Sequence, residues 1–123
     1  MVHILLVDDD YHFRRTLCIQ LELEGYRVTE VESGDVALSY LERQFQSLEN
    51  RPDLVITDIK MPGMSGGQLL KKIEEIYPFL PVIVISAFEL NEGLKGCSII
   101  KKPFKIENML SVVNQSLENH SAR

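Results

Sequence analysis

The 123-residue sequence contains little cysteine and no long hydrophobic run. Its two cysteines, Cys18 and Cys97, match no metal-binding or redox spacing, so we expect reduced residues in or near a core. The apolar run nearest the N-terminus, Ile4–Val7, has only four residues and is followed by three acids. That run is too short for a signal peptide or a membrane span, and we therefore expect a cytosolic protein.

Basic residues are also few, because 13 lysines and arginines stand against 18 acids and give a net charge of −5. No basic cluster exceeds the length of Lys101–Lys102, which argues against direct nucleic-acid binding by this chain. The hydrophobic and charged fractions, 45% and 25%, are ordinary for a globular fold. The length predicts one domain over residues 1–123, with a frayed tail at 119–123.

Short β-rich runs alternate with longer stretches of helical period. A wholly apolar run such as Ile4–Val7 is expected of a strand that is buried on both faces. Five strands that alternate with helices predict an α/β fold, a doubly wound parallel sheet with helices on both faces. The predicted strands are Ile4–Val7, Tyr26–Val31, Leu54–Thr57, Val82–Ser86 and Ser98–Ile100.

Apolar residues at helical spacing mark the helices between these strands. In the stretch Tyr11–Glu24, Phe13, Leu17 and Leu21 recur every four residues, and Asp10 is the candidate N-cap. We interpret this stripe as part of the core. Further helices are indicated by the apolar residues within 36–41, capped by Ser33, within 69–76 and within 106–117.

Acids, a hydroxyl and an ammonium group follow four of the predicted strands: Asp8–Asp10 after the first, Asp58 after the third, Ser86 at the end of the fourth and Lys102 after the fifth. Each alone has an ordinary structural explanation, as a helix cap, a strand end or a solvated charge. Ligands of a doubly wound sheet, however, bind outside the carboxyl ends of its strands. The joint placement therefore predicts a functional site at that edge.

The chemistry of this set is coherent. Crowded carboxylates repel one another, and they either raise their pKa values or recruit a cation. Oxygen ligands with positions left for water and phosphate favour Mg²⁺. One carboxylate could then act as a nucleophile and form an aspartyl-phosphate, while a lysine and a hydroxyl stabilise charge on the phosphoryl oxygens.

The segments LLVDDD, VITDIKMPGMSG, VIVISA and KKPF, in this order, resemble the receiver domain of two-component response regulators over essentially the whole chain. The resemblance implies a flavodoxin-like sheet of order 2-1-3-4-5 and a phosphorylated signalling switch rather than a metabolic enzyme. It further implies a sensor histidine kinase or histidine phosphotransfer protein as phosphodonor, an output partner or domain that the sequence does not identify, and a monomer or weak dimer.

The resemblance also implies the metal ligands. Asp9 would bind Mg²⁺ directly and Asp8 mainly through water. Asp58 and the backbone carbonyl of Lys60 would complete the protein ligands. Asp58 itself would be the phosphoacceptor.

Two further residues are implied to act on the phosphoryl group. Ser86 matches the hydroxyl residue that follows the phosphate when the domain switches. Lys102 matches the phosphate-binding lysine, and its bond to Pro103 is expected to be cis. Lys101 faces the other way by strand alternation and receives no role.

The sequence departs from the family pattern in two segments. Only eleven residues, Ala87–Cys97, separate Ser86 from Ser98, which is near the lower limit for a βαβ crossover. The fourth helix of the family is therefore expected to be shortened to one or two turns, within Glu89–Leu94. The second departure is a longer polar segment, about Gln44–Pro52, before the third strand.

Two alternatives remain open from the sequence. A Mg²⁺-dependent phosphatase with an aspartate nucleophile would place a second acid two residues after Asp58, where this chain has Lys60. A receiver-like interaction module that signals without phosphate is disfavoured by the complete set of acids, hydroxyl and lysine.

Overall fold

A five-stranded parallel sheet forms the centre of the computed structural model, which describes residues 1–47, 50–87 and 97–121. Its strands are β1 (His3–Val7), β2 (Arg27–Val31), β3 (Leu54–Asp58), β4 (Val82–Ser86) and β5 (Ser98–Lys101). The helices of the described residues are α1 (Tyr11–Leu23), α2 (Gly34–Gln44), α3 (Gly66–Ile76) and α4 (Ile106–Ser121).

The strand order is β2-β1-β3-β4-β5, and every neighbouring pair is parallel. This confirms the predicted flavodoxin-like fold. Each strand end lies within one residue of its predicted position. The order places β1 beside β3 at the centre, so that the carboxyl ends of these two strands meet at the switch point.

Helices cover both faces of the sheet because the central strands alternate two sets of apolar side chains. Leu5 and Val7 belong to one core cluster, with buried residues of α2 and α3. Ile4 and Leu6 belong to a second cluster, with buried residues of α1 and α4. All five residues of β1 are buried, which explains why Ile4–Val7 is an unbroken apolar run rather than an alternating one.

Side-chain caps fix where three of the helices begin. Asp10 accepts a hydrogen bond from the Phe13 amide and Ser33 accepts one from the Val36 amide, as predicted. Ser65 forms a reciprocal capping box with Gln68 at the start of α3. α4 continues through Ser121, into the segment that we expected to be a frayed tail.

Two expectations concern the segments that depart from the family pattern. The predicted shortening of the fourth helix, within 89–94, lies outside the described residues and stays a prediction. In the longer segment before β3, Arg51 donates hydrogen bonds to the carbonyls of Ser47 and Phe45 and stacks over the Phe45 ring.

Among the helices of the described residues, none has the length and apolarity needed to cross a membrane.

Candidate functional site

Three carboxylates converge at the carboxyl edge of the sheet. Asp8 and Asp9 directly follow β1, and Asp58 is the last residue of β3. One carboxylate oxygen from each lies within 4.8 Å of the others. The sheet order produces this cluster, since residues 50 positions apart become neighbours only when β1 and β3 pair.

Asp8 is the most buried of the three acids, with 1% of its surface exposed. Its Oδ1 accepts a hydrogen bond from the Asp10 amide at 2.9 Å. Its Oδ2 is buried without a hydrogen-bond partner from the described residues. A buried carboxylate oxygen without a hydrogen-bond partner lowers the stability of the fold unless a ligand binds to it.

Arg14 holds the backbone beneath the acid cluster. Its Nη1 donates to the Asp8 carbonyl oxygen at 2.7 Å, and its Nε lies 3.1 Å from the Glu30 carboxylate on β2. Because Arg14 is itself largely buried, these bonds tie the β1–α1 turn to the neighbouring strand. The sequence-based interpretation assigned Arg14 no role, and a lone arginine on an amphipathic helix gives no signal that would reveal one.

A lysine ammonium balances part of the negative charge. Lys102 Nζ lies 3.7 Å from Asp58 Oδ1. The Lys102 amide donates to the Ser86 carbonyl at 2.7 Å, which fixes the end of β5 against the end of β4. Ser86 is fully buried, and the Lys102–Pro103 bond is cis, as expected. Lys101 pairs with Ser86 in register and is exposed.

Burial perturbs two of the carboxylates. It raises the pKa of Asp8 to about 6, although the hydrogen bond from Asp10 acts in the opposite direction. Burial also raises the pKa of Asp58, and the nearby Lys102 charge partly offsets that effect. Asp8 and Asp58 therefore carry an electrostatic cost that a bound cation would relieve.

The comparisons with known proteins agree on one family. A family model described as the response regulator receiver domain matches residues 4–114. The chain belongs to this family. The response regulator receiver protein CpdR of Brucella abortus is 31% identical over 124 residues, a match that covers 95% of this chain and 98% of CpdR.

A second group of relatives is much longer than this receiver domain. The transcriptional regulatory protein GlrR of Escherichia coli is 41% identical over 122 residues, which cover 94% of this chain but 26% of GlrR. The chain thus spans about a quarter of that relative's length. Among solved structures, a response regulator receiver domain protein from Clostridium thermocellum has a TM-score of 0.89, 25% identity and coverage of 99% of this chain and 98% of its own.

Glycine 66 is a residue of this receiver site that sequence reasoning missed. A Cβ atom on Gly66 would lie 2.1 Å from the Asp58 carbonyl oxygen and 2.7 Å from the Ile59 Cα. The Gly66 amide also donates to the Ile59 carbonyl at 2.8 Å. The start of α3 thus packs directly on the backbone of the phosphoacceptor candidate. The two adjacent glycines of MPGMSGG were the signal in the sequence that could have revealed it.

The remaining predicted ligand is the Lys60 carbonyl. Lys60 lies two residues after Asp58 on the exposed loop between β3 and α3, and Gly63 turns that loop with a φ of 75°. Its role as a metal ligand stays a prediction. The three carboxylates and the unpartnered Asp8 oxygen fit a hard cation such as Mg²⁺, because they offer oxygen donors and excess negative charge.

Replacing Asp8 by asparagine should stabilise the metal-free domain at pH 7 by about 1 kcal/mol. The pKa of Asp8 is raised on folding, so the native state binds more protons than the unfolded state between about pH 4 and pH 6. The contribution of Asp8 to wild-type stability therefore falls as the pH rises through that interval, and the Asp8→Asn gain should vanish below about pH 4. Urea denaturation at several pH values measures both effects.

The matched control is Asp9→Asn, because Asp9 is exposed and its substitution should change stability by no more than about 0.5 kcal/mol. Added Mg²⁺ should stabilise the wild type more than the Asp8→Asn variant. An Asp8→Asn protein that is less stable than the wild type at pH 7, with no pH dependence of the difference, would contradict the argument.

Proposed function

We propose that this receiver domain accepts a phosphoryl group on Asp58 in a Mg²⁺-dependent reaction and then switches conformation to signal to an output partner or output domain. One observation carries the proposal: three carboxylates share one edge of the sheet with an ammonium group 3.7 Å from Asp58. A candidate nucleophile, carboxylates that could hold a cation and a positive charge for the phosphoryl oxygens are thus close together, which supports the proposal.

Asp8, Asp9, Asp58 and the Lys60 carbonyl would hold the Mg²⁺ ion. When bound, the ion would offset repulsion among the carboxylates and stabilise negative charge on the phosphoryl oxygens. The unpartnered Asp8 oxygen supports this assignment. No histidine or serine base is needed, because the reacting group is a carboxylate and not a hydroxyl.

The transfer step uses a carboxylate oxygen of Asp58 as the nucleophile. A new P–O bond forms, the P–N bond to the donor's phosphohistidine breaks, and the imidazole keeps the electron pair and takes a proton from solvent. Lys102 supplies a positive charge beside the acceptor oxygen throughout. Hydrolysis of the acyl phosphate by water would return Asp58 to its starting state.

The switch would follow from the added charge. A phosphorylated Asp58 is more negative, so it would attract the Ser86 hydroxyl from the end of the neighbouring strand β4. A sensor histidine kinase or a histidine phosphotransfer protein would be the donor, in keeping with the family. The cytosolic location, the monomeric or weakly dimeric state and the lack of direct nucleic-acid binding stay predictions.

The test is incubation with a small phosphodonor such as acetyl phosphate, followed by intact-mass measurement. We expect the mass of one phosphoryl group to be added in the presence of Mg²⁺ and not after chelation with EDTA. The adduct should be lost with hydroxylamine, which cleaves acyl phosphates but not phosphate esters. A protein that gains no phosphate with Mg²⁺ would refute the proposal and favour an interaction module.

A further inference from the structure

The face of the Phe13 ring contacts the Lys102 ammonium. Lys102 Nζ lies 4.0 Å from the ring centroid and 3.7 Å from Asp58 Oδ1. The periodicity of α1 predicted Phe13 as an ordinary core residue, but its side chain is only half-buried, whereas Leu17 and Leu21 on the same stripe are buried. The ammonium group thus has two attractive contacts, one with a carboxylate and one with an aromatic face.

The Phe13 ring is held in this position by a second aromatic residue. Phe104 packs edge-to-face against Phe13, with centroids 6.1 Å apart and an interplanar angle of 90°. Phe104 follows Lys102 and Pro103 directly, so the same short segment carries both the lysine and the residue that supports the ring. This arrangement joins α1 to the segment after β5.

The surroundings of the Lys102 ammonium explain why its contact with Phe13 matters in addition to its contact with Asp58. Phe13, Lys102 and Phe104 line an open groove between α1 and the segment after β5. Lysine has a flexible four-carbon stem and a strongly hydrated ammonium, and an open groove would let it turn toward solvent. An aromatic face attracts a cation through its quadrupole, which favours the conformation beside Asp58.

We propose that Phe13 is a positioning residue that holds the Lys102 ammonium beside Asp58 for phosphoryl transfer. The functional part of this inference rests on the proposed function, whereas the contact itself can be tested without phosphate. In this role the ring acts on the reaction through its contact with Lys102.

The contact is tested by proton NMR of the unphosphorylated domain. Protons above an aromatic face are shielded, so the ε-methylene protons of Lys102 should resonate upfield of those of other lysines, with Lys102→Met giving the assignment. Phe13→Leu should abolish the upfield shift and Phe13→Trp should retain it. Tyr11→Leu is the matched control, because Tyr11 is an exposed aromatic on the same helix that stacks with Arg14 instead.

The consequence is tested by the rate of phosphorylation by acetyl phosphate with Mg²⁺. Phe13→Leu should slow the reaction about two- to fivefold, the effect expected of a cation–π contact at a partly exposed site. Phe13→Trp should restore the rate, which a general packing defect would not predict, and Tyr11→Leu should match the wild type. Urea denaturation of each variant verifies that the domain is folded during the assay.

The outcomes separate this inference from the proposed function. Lys102 resonances at ordinary positions in the wild type would overturn the contact. If the wild type is phosphorylated and the Phe13→Leu variant loses the upfield shift but is phosphorylated at the same rate, the positioning role is overturned. A wild type that takes no phosphate refutes the proposed function and with it that role, while the NMR shift still decides whether Phe13 holds Lys102.

Discussion

Replacing Asp58 by asparagine is expected to abolish labelling by a phosphodonor. The amide has nearly the shape of the carboxylate but lacks its negative charge and its nucleophilic oxygen, so the P–O bond cannot form. The loss should not reflect unfolding. Burial raises the pKa of Asp58, and removal of a costly buried charge should leave the metal-free domain at least as stable at pH 7. Intact mass and urea denaturation measure the two effects.

Asp10→Asn provides the matched control for Asp58→Asn. Asp10 follows the acid pair directly but serves as the N-cap of α1, and asparagine caps a helix about as well as aspartate. The Asp10→Asn variant should therefore be phosphorylated like the wild type. Equal labelling of Asp58→Asn and the wild type would move the nucleophile elsewhere, and Asp8 and Asp9 would be the next candidates.

Gly66→Ala is expected to destabilise the domain by about 3 kcal/mol or more and to impair phosphorylation. The added methyl would lie 2.1 Å from the Asp58 carbonyl oxygen, and all of its closest neighbours are backbone atoms. Backbone cannot rotate away as a side chain can, so α3 or the end of β3 must shift. Either movement would displace Asp58 relative to Lys102.

Gly63→Ala separates this clash from a simple loss of glycine. Gly63 has a φ of 75°, and a Cβ there would meet no atom within 4 Å. Its replacement should cost only the strain of a left-handed conformation, about 1 kcal/mol. Urea denaturation and the phosphorylation rate of both variants provide the comparison. A Gly66→Ala domain no less stable than Gly63→Ala would show that the close approach is not important.

The positions of the strands and the helix caps were predictable because each of these signals is local. A run such as Ile4–Val7 or Val82–Ser86 shows by its own composition that both faces are buried. The caps Asp10 and Ser33 likewise bond to amides three residues away, within reach of a sequence pattern. Predictions of this kind do not depend on which elements become neighbours.

The roles of Gly66, Phe13 and Arg14 could not be predicted, because each depends on a partner that lies on a different element of the fold. Gly66 is constrained by the backbone of Asp58, and Phe13 by a lysine 89 positions later. In the sequence, Arg14 is one more charged residue on a helix, and only the position of β2 in the structure shows that Glu30 lies beside it. Helical periodicity indicates that a residue faces the sheet, but it does not indicate which residues that side chain contacts.

The sequence alone determined the α/β class, the strand positions and the residue types that occupy the carboxyl edge, because patterning and strand ends are properties of short segments. Only the tertiary structure decided that carboxylate oxygens of Asp8, Asp9 and Asp58 lie within 4.8 Å of one another, and that the Lys102 ammonium lies close to both Asp58 and the Phe13 ring. The pairing of β1 with β3 brings the three carboxylates together, and the pairing of β4 with both β3 and β5 brings Lys102 toward Asp58. Long-range strand pairing is specified by the packing of the whole core and not by any single segment.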